Sequence, residues 1–272
     1  MPANTWRLID TGFSGAYLNM AIDEVLMMSC KNGLSKYPVM RFYQWKPSGL
    51  SLGYAQKYGE GFSINNCKAL GIDVVRRITG GQTVLHDGDL TYSVAVPEDY
   101  LETPKTKNLY EMVSLGLKEG LKKLGIKAHS LNPDEAKNKD KAYNCFCNIS
   151  SYEILINGKK LVGSAQRRTT GALLQHGAIL VKVDYEKLSK IFSQNEDGSG
   201  QGVSKIREKI TSLEENLESA PDTGKIKEAI VEGFANLFGI KFTCAPLSDE
   251  ELSSAERLSC EKYSSREWNE IK

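Results

Sequence analysis

The sequence has no apolar run that approaches the roughly 20 residues needed by a membrane-spanning helix. Its first residues also lack the basic region and following apolar stretch that mark a secretory signal peptide. Six cysteines spread over 272 residues are too dilute for a disulfide framework. These absences predict a cytoplasmic protein with no membrane partner.

The sequence also has no excess of charge of either sign. Lysine and arginine total 35, aspartate and glutamate total 34, and the formal net charge is +1. No global field therefore attracts a polyanion, and we expect no nucleic-acid partner. Metal ligands are scarce too, because the Cys145–Cys147 pair has no second cysteine pair or close histidine pair. We expect no metal site.

Strand-like and helix-like segments interleave along the chain, and hairpins join consecutive strands. This order predicts an α/β (α+β) fold with a mixed, largely antiparallel central sheet flanked by helices, rather than a doubly wound parallel sheet. Segments 39–45 and 50–54 are expected to form one hairpin, and Asn157-Gly158 a tight turn. The other predicted strands are 6–10, 74–75, 90–96, 152–156, 160–167, 171–183 and 241–244. The predicted helices are 14–28, 64–70, 108–124, 184–192, 225–238 and 248–263, and residues 205–217 are predicted to form one helix or two short ones.

The stretch 74–96 contains a Gly-rich turn flanked by cations. Gly80-Gly81 allows a ligand close to the backbone, and Arg76-Arg77 supplies positive charge. Successive residues of a strand point to opposite faces, so only one of the two arginines should face a ligand. Two glycines after a strand more often form only a tight turn. The motif matches neither a dinucleotide fingerprint nor a Walker loop.

Lys160 stands in the middle of a predicted strand. Gly163, Ser164 and Ala165 follow it, and their small side chains leave room for a ligand beside the strand. The simpler interpretation is an edge-strand lysine that favours solubility.

Two thiols and two histidines are further candidates for chemistry. Cys145 or Cys147 would need an activating cation, oxyanion donor or helix N-terminus to act as a nucleophile, and Lys160 is a candidate for the cation. His86 or His176 would complete a His–Cys dyad. The alternatives are ordinary thiols and hydrogen-bonded structural histidines.

Several short motifs taken together carry a family resemblance. They are Arg76-Arg77-x-Thr79-Gly80-Gly81, His86-Asp87, Thr91-Tyr92-Ser93, Gly158-x-Lys160-Leu161-x-Gly163-Ser164-Ala165-Gln166 and Gln175-His176-Gly177. With them the sequence resembles the lipoate-protein ligase/octanoyltransferase superfamily, a relative of the biotin-ligase catalytic domain, over nearly the whole chain. The resemblance implies that fold, with a catalytic domain at residues 1–245 and a C-terminal helical extension at 246–272 packed on it.

The superfamily contains two chemistries. Lipoate ligases form an acyl-adenylate with ATP, whereas octanoyltransferases of the Gram-positive type use a cysteine that precedes a phenylalanine and a Ser-x-Tyr-Glu segment. Cys145 matches that position, and Gln82 replaces the third glycine that is usual in ligases. Both features favour the transferase. Cys147, where an acidic residue is more usual, leaves the choice of thiol open, and we favour Cys145.

The resemblance implies that Cys145 accepts an octanoyl group as a thioester, with Lys160 as the supporting cation. It implies no cofactor, and ATP with magnesium only for the ligase alternative. The expected partners are acyl carrier protein as donor and a lipoyl-domain protein such as glycine cleavage H protein as acceptor. The expected substrate-binding residues are Arg76, Gly80, Gly81, His86, Gly163, Ser164, Ala165, His176 and Gly177.

Other functions compete with this prediction. They are an ATP-dependent lipoate ligase, an amidotransferase between lipoyl domains and a non-catalytic lipoyl-domain binder. A basic docking patch for acidic acyl carrier protein is a further hypothesis, with ordinary solvated loop lysines as the alternative. Its members would be Lys105, Lys107, Lys137, Lys139 and Lys141.

Overall fold

The computed structural model describes residues 4–100, 106–130, 153–192, 201–219 and 221–271. Within these ranges an eight-stranded sheet and a three-stranded sheet are flanked by helices. Most pairings in the larger sheet are antiparallel, and strand β1 (Thr5–Ser14) makes its parallel ones. The predicted fold class is confirmed. No helix in the described ranges is both long and apolar enough to cross a membrane.

The large sheet has the strand order β11-β1-β2-β6-β10-β9-β8-β7, and the small sheet has the order β4-β3-β5. The remaining strands are β2 Val39–Trp45, β3 Gly49–Leu52, β4 Asp73–Arg76, β5 Val84–His86, β6 Asp89–Pro97, β7 His129–Ser130, β8 Ile154–Ile156, β9 Lys159–Thr169, β10 Ala172–Leu180 and β11 Lys241–Cys244.

The helices follow the predicted amphipathic segments closely. They are α1 Ala16–Lys31, α2 Ile64–Ala69, α3 Thr106–Lys123, α4 Tyr185–Phe192, α5 Gln201–Lys209, α6 Leu213–Asn216, α7 Thr223–Phe238, α8 Asp249–Leu258 and α9 Arg266–Asn269. Local chemistry fixes their ends. The Asp222 carboxylate caps α7 by accepting from the Gly224 N–H, and Gly239 ends that helix at φ 65°.

The two faces of the large sheet are covered by different helices. Helices α3 and α7 cover one face, where Leu117 and Phe234 belong to the same buried cluster. These helices approach closely because they meet at glycines. A Cβ on Gly233 would lie 2.7 Å from the Gly116 carbonyl oxygen. Helix α1 covers the other face.

The turn between β8 and β9 confirms one local prediction. Asn157 and Gly158 have φ values of 50° and 80°, as required at both central positions of the tight hairpin turn that asparagine and glycine favour. The three predicted consecutive strands around it pair antiparallel, β8 with β9 and β9 with β10.

The predicted hairpin between 39–45 and 50–54 is wrong. Strand β2 pairs with β1 and β6 in the large sheet, whereas β3 pairs with β4 and β5 in the small one. Alternation of apolar residues identifies a strand but not its sheet. The stretch 74–96 also crosses between sheets, because β4 and β5 belong to the small sheet and β6 to the large one. Residues of both sheets line one cavity.

The C-terminal helices pack on α1 and β4. Helix α8 begins with the predicted capping box of Ser248 and Glu251. Beyond it, Arg76 on β4 joins the C-terminal segment to an early loop. Its guanidinium donates to the carbonyl oxygens of Trp268 and Asn269 and to three carbonyls of residues 53–56.

Asn269 completes this junction, so Asn269→Ala is expected to destabilise the fold. Its buried side chain accepts from the Arg76 backbone N–H at 2.7 Å and donates to the Tyr263 carbonyl at 2.7 Å. Leaving these buried groups without partners costs about 1–3 kcal/mol. Urea unfolding measures the loss. Glu267→Ala, an exposed change in the same helix, is the control, and equal stability of the two variants would contradict the role of Asn269.

Candidate active site

A cavity of about 280 Å³ lies in the cleft between the two sheets. Strands β2, β6, β9 and β10 form one wall, and the small sheet with the loop after β4 forms the other. It is lined by Met20, Tyr43, Trp45, Ser51, Arg77, Gly81, Gln82, Val84, His86, Thr91, Glu153, Lys160, Gly163, Ser164, Ala165, His176, Gly177 and Ala178.

The sheet side of the cavity has small side chains in one cross-strand row. Gly163 on β9 stands opposite Ala178 on β10, Ala178 opposite Thr91 on β6, and Thr91 opposite Tyr43 on β2. Neighbouring strands are about 4.8 Å apart, so this row spans about 14 Å across the sheet. It forms a trough that runs from β9 to the aromatic side chains of Tyr43 and Trp45.

Lys160 and Glu153 form an ion pair at the β9 end of the trough. The Lys160 Nζ lies 2.5 Å from Glu153 Oε1, and the two residues are 7% and 4% exposed. The Lys160 side chain passes over Gly163, where a Cβ would stand 2.6 Å from Lys160 Cε. The glycine therefore provides the space in which the ammonium group reaches the cavity.

Arg77 fixes the loop on the opposite wall. Its guanidinium donates to the carbonyl oxygens of Ser51, Gly80 and Gln82 and to the hydroxyls of Thr79 and Ser51. Burial lowers the pKa of Arg77 to about 10, so the group remains a cation at neutral pH. Gly81 has φ 90°, and a Cβ there would lie 2.8 Å from an Arg77 nitrogen. A larger residue would displace the arginine or the loop.

A hydrogen-bonded chain connects Arg77 to His176. Arg77 Nε donates to the Thr79 hydroxyl, which lies 2.7 Å from His176 Nε2. His176 Nδ1 lies 2.8 Å from an oxygen of Asp23. The Asp23 carboxylate only accepts, so Nδ1 carries the proton and Nε2 accepts from Thr79.

Asp23 is fully paired in the core beneath His176. It also accepts from Arg41 at 2.7 Å, Tyr43 at 2.7 Å and Ser93 at 2.8 Å. Burial alone would raise the pKa of Asp23, but the His176 and Arg41 interactions outweigh it and hold that pKa below the ordinary value. Burial also lowers the pKa of His176 despite the hydrogen bond to Asp23. We therefore assign a neutral imidazole over an ionised carboxylate.

A second chain of the same chemistry connects Arg77 to His86. Arg77 donates to the Ser51 hydroxyl, which lies 2.9 Å from His86 Nε2, and His86 Nδ1 lies 3.0 Å from Asp89. The His86 ring stacks on Trp45 with centroids 3.9 Å apart. In the neutral imidazole with its proton on Nδ1, the Ser51 hydroxyl donates to Nε2. In this arrangement both cavity histidines use their acceptor nitrogen within the protein, as in the structural alternative considered for them.

Most of the expected substrate-binding residues lie together in this cavity. Lys160 lines it with Gly81, His86, Gly163, Ser164, Ala165, His176 and Gly177. Gly80 does not line it, although its carbonyl accepts from Arg77. Cys145 and Cys147 lie outside the described residues, as do Lys105, Lys137, Lys139 and Lys141 of the basic-patch hypothesis. The side chain of Lys107 also lies outside the described part of the structure.

Arg76 is the main correction to the expected site. It does not line the cavity, because the strand alternation that separates the two arginines points Arg77 inward. The Arg76 side chain points away and holds the C-terminal segment. The alternation predicted that only one arginine faces a ligand, but without knowledge of the sheet partners it could not show which one.

The sequence did not single out several residues that line or support the cavity. Glu153 stood within the recognised segment without a role, and Trp45 was only the end of a predicted strand. Asp23 lies within the predicted helix 14–28. A carboxylate on an otherwise apolar helix face was the available signal for Asp23, since such a group must find buried donors. In the described ranges no group of three metal-ligating side chains comes together.

Comparison with known proteins identifies the family to which this chain belongs. A model of the lipoyl protein ligase A/B catalytic domain matches residues 15–235. Octanoyltransferase LipM of Clostridioides difficile (strain 630) is 39% identical over 270 residues, with 98% of each chain covered. Octanoyltransferase LipM of Kyrpidia tusciae is 40% identical over 271 residues, with 97% of this chain and 98% of that one covered.

A solved structure shares the fold. It is the bipartite lipoate protein ligase of Thermoplasma acidophilum, described together with its E2 lipoyl domain. The TM-score is 0.81 at 26% identity, with 98% of this chain and 96% of that one covered. The chain therefore belongs to the lipoyl protein ligase A/B catalytic domain family. Its curated relatives are octanoyltransferases, so the chain is an acyltransferase, as predicted.

The buried His176–Asp23 pair predicts that the fold loses stability in acid. The pKa of His176 is lower in the folded state than its unfolded value of about 6.5. As pH falls below about 6.5, the unfolded state takes up a proton that the folded state does not, so the free energy of unfolding drops. One such proton contributes at most about 1.4 kcal/mol per pH unit. The depressed pKa of Asp23 adds a second loss only below about pH 4.

Urea unfolding between about pH 7.5 and pH 5 measures this slope. His176→Gln should flatten the slope in that range, whereas His129→Gln, a change at an exposed histidine, should leave it as in the wild type. Identical slopes in all three proteins would contradict a neutral buried His176.

Proposed function

We propose that this chain transfers an octanoyl group from acyl carrier protein to a lysine of a lipoyl-domain protein through a thioester on Cys145. The observation that carries the proposal is the identity of 39–40% with octanoyltransferases over nearly the whole length of both chains. The glycine cleavage H protein is the acceptor that the family resemblance suggests. The archaeal ligase, which has an E2 lipoyl domain as its partner in the same lipoylation system, also supports a lipoyl-domain acceptor.

The cavity suits a short acyl chain. Its sheet side offers Gly163, Ala178 and the methyl-bearing Thr91, and its far end is closed by Tyr43 and Trp45. A cavity of about 150 Å³ accepts benzene, so about 280 Å³ accommodates a chain of eight carbons. Each buried CH₂ contributes about 0.8 kcal/mol, which is enough for the depth of the trough to favour one chain length over its neighbours.

Lys160 supplies the cation for the reaction. A thiolate and a tetrahedral oxyanion both gain from a positioned ammonium group, and one such donor is typically worth about 2.7–4 kcal/mol. The nucleophile belongs to the same part of the sequence, since Cys145 precedes Glu153 by eight residues. Lys160 and Glu153 together border the trough where the reacting carbonyl would stand.

The reaction has two balanced halves. In the first, the Cys145 thiolate attacks the donor's thioester carbonyl, a new S–C bond forms, and the carrier thiolate leaves and is protonated. In the second, the acceptor lysine attacks the acyl-cysteine, an amide forms, and the Cys145 thiolate is released. Thioester exchange is nearly isoenergetic and aminolysis is downhill, so we propose that neither ATP nor another cofactor takes part.

Intact-protein mass spectrometry tests this proposal directly. Incubation with octanoyl-acyl carrier protein should add one octanoyl group to the wild type and to Cys147→Ser, but not to Cys145→Ser. An adduct lost only in Cys147→Ser would move the nucleophile to Cys147. No adduct in the wild type, together with lipoylation that requires ATP, would refute the proposal.

The second candidate is an ATP-dependent lipoate ligase. The similarity to the archaeal ligase structure favours it, although at 26% identity rather than 39–40%. The two activities differ in their need for nucleotide: free octanoate with ATP should support modification of the acceptor only in a ligase. An amidotransferase between lipoyl domains would instead form the cysteine adduct from an octanoylated lipoyl domain.

The domain division and the location remain proposals. The boundary between a catalytic domain at 1–245 and an extension at 246–272 accords with the family match, which ends at residue 235. The Arg76 contacts make the two parts interdependent. A cytoplasmic location accords with a substrate carried by acyl carrier protein.

Gly163→Ala is expected to slow formation of the acyl-enzyme by about 10–100-fold without unfolding the protein. The new methyl group would lie 2.6 Å from Lys160 Cε and 3.0 Å from its Nζ. The flexible lysine, rather than the backbone, would give way, and displacement of a reacting group by about 1 Å has an effect of this size. The rate of adduct formation and the melting temperature are the measurements.

Gly15→Ala is the matched control for this variant. It adds the same methyl group at a position with nothing within 4 Å and outside the cavity lining. A wild-type rate for Gly163→Ala would show that the position of the Lys160 ammonium does not limit the reaction.

A further inference from the structure

The second half of the proposed reaction needs a proton acceptor. An acceptor lysine enters as an ammonium ion and leaves as an amide nitrogen with one hydrogen, so it loses two protons in all. One is lost to solvent as the amine forms. The other must leave the nitrogen as it bonds to the acyl carbon, inside a cavity whose walls are largely buried.

The histidines of the cavity are poor acceptors for this proton. His176 Nε2 is 2.7 Å from the Thr79 hydroxyl and His86 Nε2 is 2.9 Å from the Ser51 hydroxyl, and both hydroxyls accept from Arg77 in turn. Protonation of either Nε2 would break its chain at the hydroxyl. Burial lowers the pKa of His176, which further weakens it as a base.

Glu153, unlike the two histidines, borders the cavity with a carboxylate. Its carboxylate borders the cavity 2.5 Å from the Lys160 ammonium, and it is only 4% exposed. Among the described residues that line the cavity, it is the one that carries a carboxylate. Lys160 and Glu153 therefore present a positive donor and a negative acceptor side by side at one end of the cavity.

We propose that Glu153 is a catalytic residue that accepts the proton of the attacking lysine in the acyl-transfer step. This inference rests on the proposed function. The lysine nitrogen forms a bond to the acyl carbon, one N–H proton passes to the Glu153 carboxylate, and the C–S bond breaks with its electrons on Cys145 sulfur. Lys160 stabilises the oxyanion and then the thiolate. The Glu153 carboxyl afterwards releases its proton to solvent.

Two nucleophiles with different needs for a base test this assignment. The octanoylated enzyme is prepared first and isolated, and is then mixed with the lipoyl-domain acceptor or with hydroxylamine. Hydroxylamine is neutral at pH 7 and cleaves thioesters without a base. In Glu153→Gln, transfer to the acceptor lysine should fall by about 100-fold or more, and by a clearly larger factor than acyl-enzyme formation or release by hydroxylamine.

Further variants separate a catalytic role from a structural one. Lys160→Met should lose acyl-enzyme formation as well, because it removes the cation needed in both halves. Glu153→Asp keeps a carboxylate and should recover part of the lysine transfer. Melting temperatures establish that each variant is folded.

Two results would overturn the assignment of Glu153. One is wild-type transfer to lysine in Glu153→Gln. The other is loss of acyl-enzyme formation in Glu153→Gln to the same extent as in Lys160→Met, which would mean that Glu153 acts only by holding Lys160. Absence of an acyl-enzyme in the wild type would instead refute the proposed function itself.

Discussion

The geometry of the cavity depends on the buried guanidinium of Arg77. One side chain binds the carbonyls of the loop at residues 80–82 and two hydroxyls, and each hydroxyl faces a histidine above a carboxylate. A planar group with five donors can do this, whereas a lysine cannot. The same cation fixes the hydrogen-bonding state of His86 and His176. The loop wall is thus rigid and presents few groups that exchange protons.

The opposite wall, formed by the large sheet, has glycine and alanine at positions where larger side chains would fill the cavity. Gly163 and Ala178 keep the row between Lys160 and Tyr43 shallow, so the sheet provides an apolar trough. Reactive charge is confined to the Lys160–Glu153 pair at one end of it. An ion pair in such a place is costly to bury, and in the proposed reaction its two charges act on the substrate.

The sequence predicted the fold class, most helices, the hairpin at residues 157–158 and a part of the cavity lining that includes Lys160, Gly163 and His176. These features follow from local pattern or from motifs that resemble a family. The wrong predictions concerned which sheet a strand joins and which of two neighbouring side chains faces the cavity. Alternation in 39–45 could not show that β3 leaves for another sheet, and the Arg76-Arg77 pair could not reveal which residue points inward. Both depend on contacts with distant parts of the chain, such as the bond from Arg76 to Asn269 across 193 positions.

The contact between Arg76 and the C-terminal segment has a consequence for biosynthesis. The loop at residues 53–56, whose Gln56 side chain reaches Gln82 beside the cavity, is held through Arg76 by carbonyls of Trp268 and Asn269. During translation the early loop is made long before those carbonyls exist. The loop therefore acquires its full set of restraints only after residue 269 has left the ribosome. The loop is thus completed late in synthesis, although every described residue that lines the cavity lies in the first two-thirds of the chain.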